Sequence, residues 1–153
     1  MNDDQENARI LIVDDNPANL MVLSELLDMA GFTAAFTEQN PRTAVARWLA
    51  EPFDLLLLDI RMPEMDGYAV MAALRERLAP DEYLPCIVLT AQTDRETRQA
   101  SLDAGAIDFI TKPFDFDETL KRINNALHTW FIHKKINSGY LSLTKQSAIS
   151  GPR

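Results

Sequence analysis

The stretch Ile10-Leu11-Ile12-Val13-Asp14-Asp15-Asn16-Pro17 decides the fold: an unbroken aliphatic run, two carboxylates, then an Asn-Pro step. Aliphatic residues in series, without polar alternation, suit a strand covered on both faces, as in a parallel sheet flanked by helices. The Asn-Pro step suits a helix starting at once, because asparagine caps the first amides and proline fits the first helical position. A strand that ends on carboxylates and turns directly into a helix is the opening of a β-α-β crossover.

The same grammar recurs outward from this stretch. Thr33–Phe36, Leu55–Leu58, Ile87–Leu89 and Ile107–Ile110 read as further strands, and Asn40-Pro41 repeats the helix-start signal. Gly31 and Gly105 close helical patterns, Asp115 caps a last helix with Glu118 three residues on, and Leu20, Leu23, Leu26 and Leu27 form one apolar stripe. Five strands thus alternate with five helices. Right-handed crossovers then give an α/β, doubly wound, five-stranded parallel sheet that binds its ligands at the carboxyl ends of the strands.

Bulk properties agree with a single domain and narrow its partners. The 153 residues are 46% hydrophobic and 25% charged, a globular composition, with a net charge of −8 and a pI near 4.7. An acidic body is a poor match for phosphate backbones or anionic lipid, so neither nucleic acid nor membrane is an expected partner. The one cysteine, Cys86, excludes an internal disulfide, and the acidic, polar start is unlike a signal peptide; a cytoplasmic location is expected. The charge is also segregated: residues 128–153 carry four cations and no anion, leaving −12 on residues 1–127.

Chemistry collects where the strands end. Asp14 and Asp15 follow the first strand, Asp59 the third, Thr90 the fourth and Lys112-Pro113 the fifth. Three converging carboxylates repel and raise one another's pKa unless a cation joins them. Hard oxygen ligands beside one lysine and one hydroxyl are the equipment for Mg²⁺-assisted phosphoryl chemistry. Taken singly, Asp14 or Asp15 reads as a helix cap and Asp59 as a turn residue; the combination points to a site.

These residues resemble the receiver domain of two-component response regulators, a CheY-like, flavodoxin-like fold. The resemblance covers roughly residues 8–127. It rests on Ile10-Leu-Ile-Val-Asp14-Asp15, on Leu58-Asp59-Ile-Arg-Met-Pro63-Glu-Met-Asp66-Gly67, on Thr90-Ala91, and on Gly105-Ala-Ile-Asp-Phe109-Ile-Thr-Lys112-Pro113-Phe114. It implies that Asp59 is the phosphate-accepting nucleophile, and that Asp14, Asp15, Asp59 and the backbone carbonyl of Arg61 hold Mg²⁺. It further implies that Thr90 and Lys112 bind phosphoryl oxygens, that Phe109 is a switch aromatic moving with Thr90, and that Lys112-Pro113 is cis. By the resemblance, Arg61 and Gln92 occupy positions that vary in the family and would tune phosphate lifetime; Arg61 would cover the phosphoryl group or engage an anion near it, or else be simply solvated. Phe109 on its own would read as a core aromatic.

The implied function is a phosphorelay switch rather than a turnover enzyme. A sensor histidine kinase or histidine phosphotransfer protein would supply the phosphoryl group, and an output domain or downstream protein would read the result. The segment Ala91-Gln-Thr-Asp-Arg-Glu-Thr-Arg, followed by a long last helix, resembles receivers that precede cyclic-dinucleotide enzymes or sit in multidomain kinases, so a fragment and a stand-alone relay are both open readings. Two rivals stand beside this reading. A phosphohydrolase of the haloacid-dehalogenase type also forms an aspartyl phosphate, but from the first strand, with a second Asp two residues later. A degenerate receiver would only bind protein.

Three segments are expected: a disordered start over residues 1–7, a receiver domain over 8–127, and a helix extension with flexible linker or tail over 128–153. Leu120, Ile123, Leu127 and Trp130 read as the core-facing stripe of the last helix. Phe131, Ile132 and Ile136 carry apolar character beyond it, which suits a homodimer through the last helices, an output domain or a fold-back. His128 and His133 lie far from the acidic cluster in sequence and read as ordinary helix residues.

Overall fold

The computed structural model describes residues 3–91 and 95–150, the final thirteen of these by backbone alone. In chain order the elements are α1 (Asp3–Glu6), β1 (Arg9–Val13), α2 (Pro17–Met29), β2 (Ala34–Glu38), α3 (Pro41–Ala50), β3 (Leu55–Asp59), α4 (Gly67–Arg77), β4 (Cys86–Thr90), α5 (Arg95–Asp103), β5 (Asp108–Thr111) and α6 (Phe116–Ser150). The strands form one parallel sheet in the order β2-β1-β3-β4-β5. From β1 the chain winds outward to β2, then crosses back and winds the other way through β3, β4 and β5. The reversal lies between β1 and β3, and a doubly wound sheet opens a crevice at the carboxyl ends of those two strands.

Residue parity explains why the strand runs are continuously apolar. Ile10 and Ile12, Leu55 and Leu57, and Ile87 and Leu89 project to one side, where Leu20, Leu23 and Leu27 of α2 and Ile123 and Leu127 of α6 cover them. Leu11 and Val13, Leu56 and Leu58, and Cys86 and Val88 project to the other, against Ala44 of α3 and Val70, Met71 and Leu74 of α4. Each position in these runs therefore meets a helix, and each fully buried leucine adds about 2 kcal/mol of hydrophobic stabilisation.

Local signals set the element ends. The side chain of Asn16 accepts from the amide of Ala18, that of Asn40 from Arg42 and Thr43, and that of Asp66 from Ala69. Gly31 (φ 96°) and Gly105 (φ 107°) adopt the left-handed conformation that ends a helix cheaply only without a β-carbon. Asp115 caps α6 by accepting from the Glu118 amide at 2.8 Å. Gly67 is different: its φ is unremarkable, but an added β-carbon would lie 2.6 Å from the Asp59 carbonyl oxygen and 2.9 Å from Ile60 Cα. What Gly67 supplies is space rather than an unusual turn conformation.

Four expectations change. Six helices occur among the described residues instead of five, because the segment expected to be disordered over 1–7 contains α1. That turn is held by Gln5 Nε2 donating to the Asn124 carbonyl at 3.4 Å and by the Thr33 amide donating to Glu6 O at 3.1 Å; Met1 and Asn2 lie outside the described residues. The second strand begins at Ala34 and runs to Glu38. Residues 137–150, expected to be flexible, continue α6, and no proline occurs there to break its hydrogen-bond ladder before Pro152. Residues 151–153 lie outside the described residues.

The fourth change concerns Trp130, which leaves the core stripe. Its ring stacks on Tyr83 at 5.7 Å, and its indole N–H donates to Asp54 Oδ1 at 2.9 Å. His133 closes the stack, 5.0 Å from Tyr83. Phe131 packs against the core, while Ile132 and Ile136 are exposed.

Gly67→Ala is expected to lower stability by about 1–3 kcal/mol, the usual cost of forcing atoms into a packed site. Urea unfolding against the parent measures it; an unchanged midpoint would contradict the steric account.

Candidate functional site

Sheet register brings the strand-end residues into one row. Val13 pairs with Leu58, Asp59 with Leu89, and Thr90 with Thr111, so Asp14, Asp59, Thr90 and Lys112 fall at adjacent carboxyl ends. The Lys112 amide donates to the Thr90 carbonyl at 2.8 Å, which carries the alignment one residue past β5. The Lys112-Pro113 peptide bond is cis.

The ammonium of Lys112 bridges two of the carboxylates. Its Nζ lies 2.9 Å from Asp59 Oδ1 and 3.2 Å from Asp14 Oδ2. Asp14 is fully enclosed and Asp59 is 3% exposed, whereas Asp15 faces solvent. Asp14 also accepts from the Asn16 amide at 2.9 Å on Oδ1 and from Asn19 Nδ2 at 3.1 Å on Oδ2. One oxygen from each of Asp14, Asp15 and Asp59 lies within 4.8 Å of the others. They line a cleft of about 210 Å³ shared with Arg61, Thr90 and Lys112.

The electrostatics of this cluster remain anionic. Burial, reinforced by the charges of Asp14 and Asp15, pushes the Asp59 carboxyl up to about 6, while the Lys112 hydrogen bond and charge pull the other way. Burial pulls the Lys112 ammonium down, but its bonds and charge pairing with Asp59 and Asp14 outweigh that and leave it above the ordinary lysine value. One lysine against three carboxylates leaves a deficit of positive charge, ringed by hard oxygen donors. That donor set fits Mg²⁺.

The structure places Asp14, Asp15, Asp59, Arg61, Thr90 and Lys112 around one cleft. Gln92 lies outside the described residues. Phe109 sits apart, half-buried on the flank between α5 and α6. Two guanidinium groups approach its ring, with Arg98 Cζ at 4.9 Å and Arg122 Cζ at 5.1 Å from its centroid. Arg122 is itself anchored to Asp108 at 2.7 Å and Glu118 at 3.2 Å.

Sequence reasoning missed Asn19 and the arginine pair around Phe109. Asn19 carries a weak signal, an amide in the first turn of the helix that follows the acidic pair. The arginines carry none, because they come from separate helices. His128 is exposed and His133 belongs to the Tyr83 stack; neither joins the acidic cluster.

Comparison with known proteins agrees with this geometry. The family model of the response regulator receiver domain matches residues 10–124. The chain is 37% identical over 125 residues to the transcriptional regulatory protein ZraR of Escherichia coli (strain K12), covering 81% of this chain and 27% of ZraR. It is 39% identical over 119 residues to the transcriptional activator protein IrlR of Burkholderia pseudomallei (strain 1026b), covering 78% of this chain and 50% of IrlR. The chain thus spans a quarter to a half of the length of these curated relatives. Among solved structures, the receiver domain of sensor histidine kinase PA1611 from Pseudomonas aeruginosa PAO1 has a magnesium ion coordinated in its active site cleft. It superposes with a TM-score of 0.71 at 29% identity, covering 80% of this chain and 98% of that one.

The Asp59 shift has a definite sign in stability. The unfolded carboxyl ionises near its ordinary value of 3.8 and the folded one only near 6. Raising the pH across that window therefore favours the unfolded chain, and the penalty is complete above the folded pKa. In metal-free buffer with chelator, Asp59→Asn should lie within about 1 kcal/mol of the parent at pH 4 and exceed its stability by about 2–3 kcal/mol at pH 7. Urea unfolding at both pH values measures this, and a difference independent of pH would contradict it.

Proposed function

This chain belongs to the response regulator receiver domain family, and from that membership we propose that Asp59 takes the phosphoryl group, in a site that Mg²⁺ completes. A receiver domain is a signalling switch. The observation that carries the assignment is the Lys112 ammonium held between Asp59 and Asp14, beside three carboxylates gathered at one sheet edge.

The chemistry follows from those groups. A carboxylate oxygen of Asp59 attacks the phosphorus of the donor, forming the new P–O bond as the donor's P–N or P–O bond breaks and its electron pair leaves with the donor. Two anions approach in that step, so catalysis consists mainly of positioning and of matching the charge on the transferred oxygens. Asp14, Asp15, Asp59 and the backbone carbonyl of Arg61 would hold Mg²⁺, which when bound neutralises phosphoryl oxygens. Lys112 and the Thr90 hydroxyl would bind the remaining oxygens.

The reading extends to what the phosphoryl group changes. Engagement of Thr90 would draw on Phe109 and on α5, whose described residues bury only Ser101. A lightly anchored helix rearranges at low cost, which supports the face built from α5, β5 and α6 as the part that exchanges partners. The donor would be the phosphohistidine of a sensor kinase or phosphotransfer protein. The reader would be an output domain, a downstream protein, or a second copy engaged through α6. Residues 8–127 would form the switch itself, with 128–153 as its extension. No helix among the described residues is long and apolar enough to cross a membrane.

Incubation with Mg²⁺ and acetyl phosphate should add one phosphoryl group by intact mass, labile to hydroxylamine. Asp59→Asn should abolish the adduct, and Lys112→Ala should slow its formation by about 100-fold, the scale for losing one aimed charge at a reacting centre. No adduct with acetyl phosphate or a phosphohistidine donor would mean a protein-binding receiver only; turnover of many phosphate esters would mean a hydrolase. Arg61→Ala is expected to change the lifetime of the adduct, read from its decay after removal of the donor.

A further inference from the structure

Asp14 presents an unusual problem of support. It is a carboxylate with no solvent exposure, so each of its oxygens needs a donor from the protein. Oδ1 has the Asn16 amide, a backbone donor that stays in place. Oδ2 has Lys112 Nζ at 3.2 Å and Asn19 Nδ2 at 3.1 Å. Lys112 is not dedicated to it, because the same ammonium lies closer to Asp59, at 2.9 Å.

We propose that Asn19 is a positioning residue for phosphoryl transfer: its amide orients the Asp14 carboxylate toward an incoming Mg²⁺, and keeps Oδ2 in place when Lys112 turns toward phosphoryl oxygens. The inference rests on the Mg²⁺-dependent reading of the site. Without Asn19, the departure of Lys112 leaves a buried carboxylate oxygen with no protein donor, and the carboxylate either rotates or keeps the lysine. With Asn19, the oxygen keeps a neutral donor that adds no positive charge against an incoming cation.

The placement of Asn19 is fixed by the helix start. Asn16 caps α2, Pro17 opens it, and the Asn19 amide donates to the Asn16 carbonyl at 3.1 Å. Its side chain therefore rises from the first turn directly beside Asp14. Because an ionised carboxylate only accepts, the side-chain nitrogen and not the oxygen must face it. Groups that orient a metal-binding side chain commonly govern metal affinity by tenfold or more when removed.

The test compares the parent with Asn19→Leu, which keeps the bulk and loses the donor, and Asn19→Gln, which keeps the donor. Mg²⁺ titration of the full chain, followed by amide chemical shifts without any phosphodonor, should show about tenfold weaker binding for Asn19→Leu and a much smaller loss for Asn19→Gln. Urea unfolding without Mg²⁺ reports whether the fold is kept; if the leucine variant unfolds, Asn19→Ala is read in its place. With acetyl phosphate, the variant lacking the donor should need correspondingly more Mg²⁺ for its half-maximal rate. Equal Mg²⁺ affinity in the parent and a folded donor-free variant overturns the role of Asn19 alone, as does a loss in Asn19→Gln as large as that in Asn19→Leu. A parent that binds no Mg²⁺ overturns the cofactor reading and this role together.

Discussion

Two buried carboxylates at the ends of neighbouring strands are tolerable only because one ammonium reaches both. The Lys112 bridge to Asp14 and Asp59 ties β5 to β1 and β3 across the intervening β4, at the edge where the sheet is otherwise open. The rest of the site is arranged around the same constraint. The Thr90 carbonyl holds the lysine backbone, Asn16 and Asn19 satisfy the lysine's partner Asp14, and the missing side chain of Gly67 lets α4 start against the backbone of Asp59. The bridge is incomplete as neutralisation, and this incompleteness makes the cluster receptive to a further cation.

Much of this was legible in the sequence because it depends on one-dimensional signals. Continuous aliphatic runs such as Ile10–Val13 mean two covered faces, and both faces are covered. Asn-Pro pairs and the glycines at 31 and 105 mark helix ends by local geometry alone. The acidic pair, Asp59, Thr90 and Lys112 follow from the rule that doubly wound sheets place chemistry at strand ends. What stayed hidden depends on pairs far apart in the chain. The helical turn Asp3–Glu6 is held by Asn124 and Thr33, and Trp130 is drawn from the core by Asp54 and Tyr83, partners that no helical spacing reveals. The space that Gly67 leaves beside Asp59 and Ile60 is likewise a contact between separate segments, which a one-dimensional pattern does not carry.

The flank between α5 and α6 joins a weakly packed helix to a firmly packed one. Arg122 of α6 is pinned by Asp108 and Glu118, while Arg98 of α5 reaches the same Phe109 ring. Each guanidinium over an aromatic face contributes about 0.5–1 kcal/mol at such partly exposed positions. The ring thus rests in a shallow electrostatic well whose walls belong to different elements, and displacement of α5 alters that well directly.

The long final helix converts angle into distance. It is gripped where Trp130 and His133 meet Tyr83, and its backbone continues to Ser150, roughly 30 Å farther at the usual helical rise. A pivot of about 5° at that grip would sweep the far end through roughly 3 Å, comparable to the span of a hydrogen bond. A rearrangement too small to disturb the packed sheet is then large enough, at the tip of such an arm, to make or break a contact with whatever is held there.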